Sequence, residues 1–157
     1  MSQQEEIDLF WKRIVRGIEA IIACLDEAPA EDWNWKPVEN ASSLYALAAH
    51  TIGSTEEHII EGICGQAVGR DREAEFSFVS ASAPPIHAAW NESQQRIVAA
   101  LAALPDGALD TEYNDPRLGK MTAREILLIT AQHCGEHRGH AELTLQLLMA
   151  TSGTSNR

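Results

Sequence analysis

Positive charge is what this chain has least of. Lysine and arginine number 12 against 23 aspartates and glutamates, a formal net charge of −11. Binding phosphate needs a basic surface, so nucleic acid and anionic membrane are excluded as partners. Long apolar runs are also missing: no stretch reaches the eighteen residues of a membrane span. Cysteine is sparse and odd in number. Cys24, Cys64 and Cys134 show no CxxC spacing, which speaks against a disulfide framework and for reduced thiols in a cytoplasm. Each lies among apolar or small residues and reads as packing. There is no glycine-rich phosphate loop and no nucleophile elbow of the serine hydrolases. The start, Met1-Ser2-Gln3-Gln4-Glu5-Glu6, is polar and acidic, unlike a secretory signal. A cytoplasmic location is therefore expected.

What is present is helical periodicity. The chain has 157 residues, 45 % of them hydrophobic, enough for one domain that buries about two-thirds of its unfolded surface without help from a metal. Ile7, Phe10, Trp11, Ile14, Ile18, Ile21, Ile22 and Leu25 predict an amphipathic helix over 4–27, stopped by Pro29. The connection over 30–40 carries Trp33, Trp35 and Pro37 and is expected to fold down on the bundle. A second helix starts at Ser42 or Ser43, both plausible caps, and runs to Ile63. Residues 66–83 read as polar loop, with Phe76, Phe78 and Val79 as a short extended piece. A third helix begins at Pro84-Pro85 and ends before Pro105-Asp106-Gly107. A linker over 106–120 holds the turn-like Asn114-Asp115-Pro116. The fourth helix opens with the capping box Thr122-Ala123-Arg124-Glu125 and runs to Ala150. The expectation is an all-α four-helix bundle over 1–150 with a flexible tail over 151–157.

The chemistry-bearing residues are histidines. His133 and His137 are four apart, so a helix projects both rings from one face, about a turn apart. They fall in line with the core-facing Ile126, Ile129, Thr130, Thr144 and Leu148. A buried imidazole must find a partner or a metal, and a shared divalent ion satisfies two at once. A third nitrogen from a facing helix would complete a three-histidine set with positions left open for water or substrate. By helical wheel that third residue is either His50, on the flank of its helix, or His58, nearer the apolar centre. His140 lies almost on the same face as His133 and reads as a pocket or supporting residue. His87 reads as a first-turn surface residue. His133-x-x-Glu136-His137 also matches the inverted zinc-protease pattern, with glutamate as base, but Glu136 lies off the line joining the two histidines.

Four stretches carry a family resemblance: Trp33-Asn34-Trp35-Lys36-Pro37, Ser43 through His50, Gly119 through Leu127 and, most specific, His133-Cys134-Gly135-Glu136-His137-Arg138-Gly139-His140. In these the chain resembles the DinB-like (DinB/YfiT) family of metal-dependent enzymes. The resemblance implies an up-down-down-up bundle, frequently a homodimer, with His50, His133 and His137 as ligands of zinc, nickel or a similar divalent ion. It also implies a low-molecular-weight thiol as cosubstrate. One departure is His140, where glutamine is usual. The expected function is a thiol S-transferase or hydrolase acting on a small molecule, with Glu136 or His140 as proton-moving residues. The alternative is a non-catalytic stress protein that binds a metal or small ligand.

Overall fold

Ser2 opens the first helix. Its hydroxyl accepts from the Glu5 N–H at 3.2 Å, and the Glu5 carboxylate accepts from the Ser2 N–H at 2.7 Å. This capping box starts α1 (Gln3–Glu27), whose buried face carries Ile7, Ile14, Ile18, Ile21, Ile22 and Leu25. A computed structural model describes residues 1–77 and 85–154. In it Ser43 caps α2 (Leu44–Glu56), its hydroxyl accepting from the Ala46 N–H. The helix then continues as a π-helical segment, Glu57–Ile63. Thr51 and Thr55 donate to the carbonyls one turn back, Leu47 and Thr51.

Besides two single-turn 3₁₀ helices, Ala30–Asp32 and Ala108–Asp110, three short features among the described residues were not expected. Arg72–Ser77 is a helix, α3, where loop and an extended piece were predicted. Phe76 lies inside it; Phe78 and Val79 fall outside the described residues. The Phe76-x-Phe78 alternation mimics a strand, but Asp71 accepts from the Ala74 N–H and nucleates a helical turn. The predicted linker over 106–120 contains a hairpin of β1 (Glu112–Asp115) and β2 (Gly119–Thr122), paired antiparallel from Glu112↔Thr122 to Asp115↔Gly119. Its strands are four residues long and rich in poor strand formers, so no periodicity announces them. The π segment is the third.

The other long helices lie close to expectation. α4 spans Ile86–Ala102 with Pro85 as its cap; Pro84 lies outside the described residues. α5 spans Ala123–Thr154, and its predicted box is made: the Thr122 N–H donates to the Glu125 carboxylate at 2.8 Å and the Glu125 N–H to the Thr122 hydroxyl at 3.2 Å. It runs past the expected end at Ala150. Trp33 donates from Nε1 to the Ala28 carbonyl at 3.2 Å and stacks on Tyr45, so the aromatic connection does fold down.

The architecture is all-α, a bundle of four long helices, and α2 is its centre. α1 packs along α5, α2 touches both, and α4 lies against α2 and its π extension. α2 is consequently buried on most of its circumference, from Leu44 to Ala48, His50 to Ile52, and at Ser54 and Thr55. At the α1–α5 contact a Cβ on Gly17 would lie 2.7 Å from the Cβ of Cys134; glycine there lets the backbones close. Cys134 is fully buried in that seam, and burial pushes its thiol up to about 11. It takes no part in the histidine cluster. No described helix is long and apolar enough to cross a membrane.

Candidate metal centre

α5 presents His133 and His137 one turn apart, and α2 brings His50 to meet them. The ring centroids are 4.3 Å apart for His133 and His137, 5.4 Å for His50 and His133, and 5.0 Å for His50 and His137. One ring nitrogen from each lies within 4.8 Å of the other two. Nitrogens bonded to one zinc at about 2.0–2.1 Å are at most about 4 Å apart, so a small movement of the side chains closes the set. The wheel left His50 on a flank because it assumed one buried stripe. On a helix buried nearly all round, the flank also faces a neighbour.

The nitrogens point to an ion. The Nε2 atoms of His133 and His137 are buried and meet no hydrogen-bond partner among the described residues. An orphaned buried polar atom costs about 1–3 kcal/mol, and two on adjacent rings are hard to explain as packing. Burial, helped by the neighbouring His50, lowers the His133 imidazole to about 4. Burial, then His133, lowers His137 to about 3. Both rings are therefore neutral at cellular pH and keep the lone pair that a metal requires.

Supporting contacts orient two of the three rings. His50 Nδ1 lies 3.2 Å from Glu75 Oε2. Arg70 Nη2 lies 3.1 Å from the same Nδ1, so the pair together fixes the ring's orientation. Where Nδ1 donates to Glu75, Nε2 keeps the free electron pair, the carboxylate–histidine pattern of a metal ligand. Arg70 holds Glu75 in a two-pronged grip, Nε to Oε1 at 2.7 Å and Nη2 to Oε2 at 2.8 Å, and reaches Glu57 Oε2 from Nη1 at 2.7 Å. Burial pushes the Glu75 carboxyl up, but the hydrogen bonds from His50 and Arg70 and the charge of Arg70 hold it below the ordinary value. Gly53 leaves room for this: a Cβ there would collide with Glu75 Oε1. The second supporting contact is His140, whose Nδ1 is 3.4 Å from His137 Nδ1.

The sequence-predicted residues divide cleanly. His50, His133 and His137 converge. His140 is exposed, beside His137. Glu136 is exposed on the flank of α5, its carboxylate accepting from Gln132 Nε2 at 2.8 Å. His58 is buried but outside the cluster, bound to Asp115. His87 is exposed in the first turn of α4 and pairs with Asp26. Arg70, Glu75, Glu57 and Asp115 were missed. Two cavities reach the histidines. One of about 370 Å³ is walled by Pro37, Leu47, His137, His140 and Leu147. The other, about 230 Å³, is walled by His50, His58, His133, Glu57, Arg70 and Arg117.

The titration of these rings makes the metal-free protein acid-sensitive. In the unfolded chain both histidines return to about 6.5, so below that pH the unfolded state binds protons that the folded state refuses. Stability is whole above about pH 6.5 and is lost as the pH falls toward 4 and 3. Glu75 adds a loss of the same sign at lower pH. Allowing for solvent screening at rings that are only partly buried, the expected loss between pH 7 and 5 is about 2 kcal/mol. Urea denaturation of chelator-stripped protein measures it. The His133→Ala/His137→Ala double variant should show a shallower slope.

A family model described as the DinB superfamily matches residues 13–141. The crystal structure of a conserved protein of a locus from Enterococcus faecalis superposes with a TM-score of 0.71 at 15 % identity, covering 96 % of this chain and 99 % of that one. At that identity the likeness speaks for the fold alone. No curated protein matches the chain in sequence.

Proposed function

This chain belongs to the DinB superfamily, and from that premise and the geometry we propose that it is a metal-dependent enzyme, a thiol S-transferase or a hydrolase, with His50, His133 and His137 holding one divalent ion, zinc or nickel. The observation that carries the reading is the pair of orphaned, buried Nε2 atoms on His133 and His137, facing a third imidazole held in place by Glu75 and Arg70. When bound, the ion supplies a double positive charge that makes a thiol or water more acidic and polarises a carbonyl. The three neutral donors leave that charge undiminished. Arg70 and Glu75 keep the His50 ring from turning. Two cavities open onto the histidines, so a small molecule can reach them from either side.

Of the two proton-moving candidates the placement favours His140. It stands beside His137 and lines the larger cavity, whereas Glu136 is occupied by Gln132 on an exposed face. A small-molecule electrophile, a low-molecular-weight thiol and a second copy of the chain are the partners in this reading.

Cobalt-substituted protein tests it. Adding 2-mercaptoethanol should produce a new near-ultraviolet sulfur-to-cobalt band, and the zinc-loaded protein should consume monochlorobimane in a thiol-dependent way. Four protein ligands, a spectrum indifferent to thiol and no consumption would overturn the enzyme reading in favour of a metal- or small-ligand-binding protein.

A further inference from the structure

The π segment after α2 carries a histidine that the metal centre does not use. His58 is 7 % exposed, and its Nδ1 lies 2.7 Å from Asp115 Oδ2. The Asp115 side chain is fully buried. Its other oxygen accepts two backbone N–H groups, those of Arg117 and Leu118, each at 2.8 Å. All these donors converge on one carboxylate, so Asp115 accepts and Nδ1 donates. The lone pair is then on Nε2. Three features of the chain accommodate the pair. His58 sits in the π segment, and such insertions recur at functional sites. The hairpin turn presents Asp115. Gly62 leaves the slot that Asp115 fills, since a Cβ there would lie 2.5 Å from Oδ2. A tie pinning the hairpin to the bundle needs only one ring nitrogen. Yet His58 also walls the 230 Å³ cavity shared with His50 and His133, where Glu57, Arg70, Arg72 and Arg117 are the charged side chains of the lining.

We propose that this cavity is a second substrate chamber, beside the one that His140 lines, and that His58, held by Asp115, is its proton-transfer residue, acting on a small molecule that carries a thiol or hydroxyl. The proposal rests on the metal-dependent reading above. In the step, His58 Nε2 takes the proton of the substrate S–H or O–H. The sulfur or oxygen keeps the electron pair, and the imidazolium formed is offset by the Asp115 carboxylate. That pair forms a bond to the electrophilic carbon of the second small molecule as the carbon's bond to its leaving group breaks. The proton then passes from Nε2 to the leaving group, or to water where the group leaves as chloride, so Nε2 ends as it began. Asp115 touches no substrate; it is a positioning residue that selects the tautomer.

The test uses full-length, zinc-loaded protein, in which His50, His133 and His137 are shielded by the ion. Diethyl pyrocarbonate at neutral pH, read by peptide mass spectrometry, should modify His58 at a rate comparable with exposed His87. Long-range proton–nitrogen spectra should show the Nδ1–H tautomer. Asp115→Asn should slow the modification by about tenfold or more by releasing the tautomer. His58→Gln and Asp115→Asn should keep wild-type zinc content while thiol-dependent loss of monochlorobimane falls by about a hundredfold. An unreactive His58 in the wild type, or the Nε2–H tautomer, overturns the proposal without any variant having to fold. Consumption that needs His133 but proceeds unchanged in His58→Gln also overturns it. If the wild type shows no turnover at all, the functional reading falls instead, and the modification rate and tautomer still decide the dyad.

Discussion

Replacing His133 with alanine should lower the affinity for a divalent ion by more than about a hundredfold, while the stability of the metal-free protein changes little. Disturbing a residue that merely supports a ligand typically costs 10–100-fold, and His133 is itself a donor. The stability half of the prediction comes from the orphaned Nε2. Deleting the ring removes a buried, unpaired nitrogen worth about 1–3 kcal/mol of penalty, which offsets the packing lost with the side chain. A histidine that served only the core would behave in the opposite way: alanine would destabilise the metal-free fold and leave metal content untouched. Equilibrium dialysis against zinc, paired with urea melts in chelator, reads both halves. His137→Ala should behave alike.

Arg70→Ala should destabilise the protein by about 3–5 kcal/mol, because it leaves buried carboxylates without their partner. The Arg70 side chain is 6 % exposed and spans Glu75 and Glu57. Glu57 retains Arg117 at 3.0 Å, but among the described residues Glu75 keeps only His50. For a chain of this size the loss corresponds to a fall in Tm of about 10 °C. The sign with pH is fixed by Glu75, whose carboxyl is held below the ordinary range by His50 and Arg70 against its burial. Without Arg70, burial dominates and the carboxyl rises. Protonation then relieves the unpaired charge, so the destabilisation should shrink as the pH falls. Metal affinity should drop about tenfold as His50 loses its fixed orientation. Arg70→Lys should rescue little, since an ammonium cannot make the two-pronged contact. Thermal melts across pH, with zinc binding measured alongside, test the set.

The long helices and the His133/His137 pair were legible because their signals are local. A capping box at Thr122, a stripe of isoleucines through α1 and two imidazoles four apart each declare themselves within a few turns. The third ligand did not. Choosing His50 over His58 needed the family resemblance, since a wheel weighs one helix in isolation and α2 is buried nearly all round. What supports the site was less legible still. Arg70 and Glu75 lie in a polar stretch between α2 and α4 that reads as loop. The signal present was a charged stretch, 70–75, lying between histidine-bearing helices, and only the fold shows its arginine turned inward onto Glu57. Asp115 had a recognisable turn signature, but nothing local pairs it with His58, since that contact joins residues 57 positions apart. The hairpin escaped notice because its strands are too short for a period.

Crystals of the zinc-loaded wild-type protein, measured on both sides of the zinc absorption edge, address the central claim most directly. The expected map holds one anomalous peak about 2.0–2.1 Å from a nitrogen of each of His50, His133 and His137, with at least one coordination position free of protein. A peak seated elsewhere, or none at stoichiometric zinc, would contradict it.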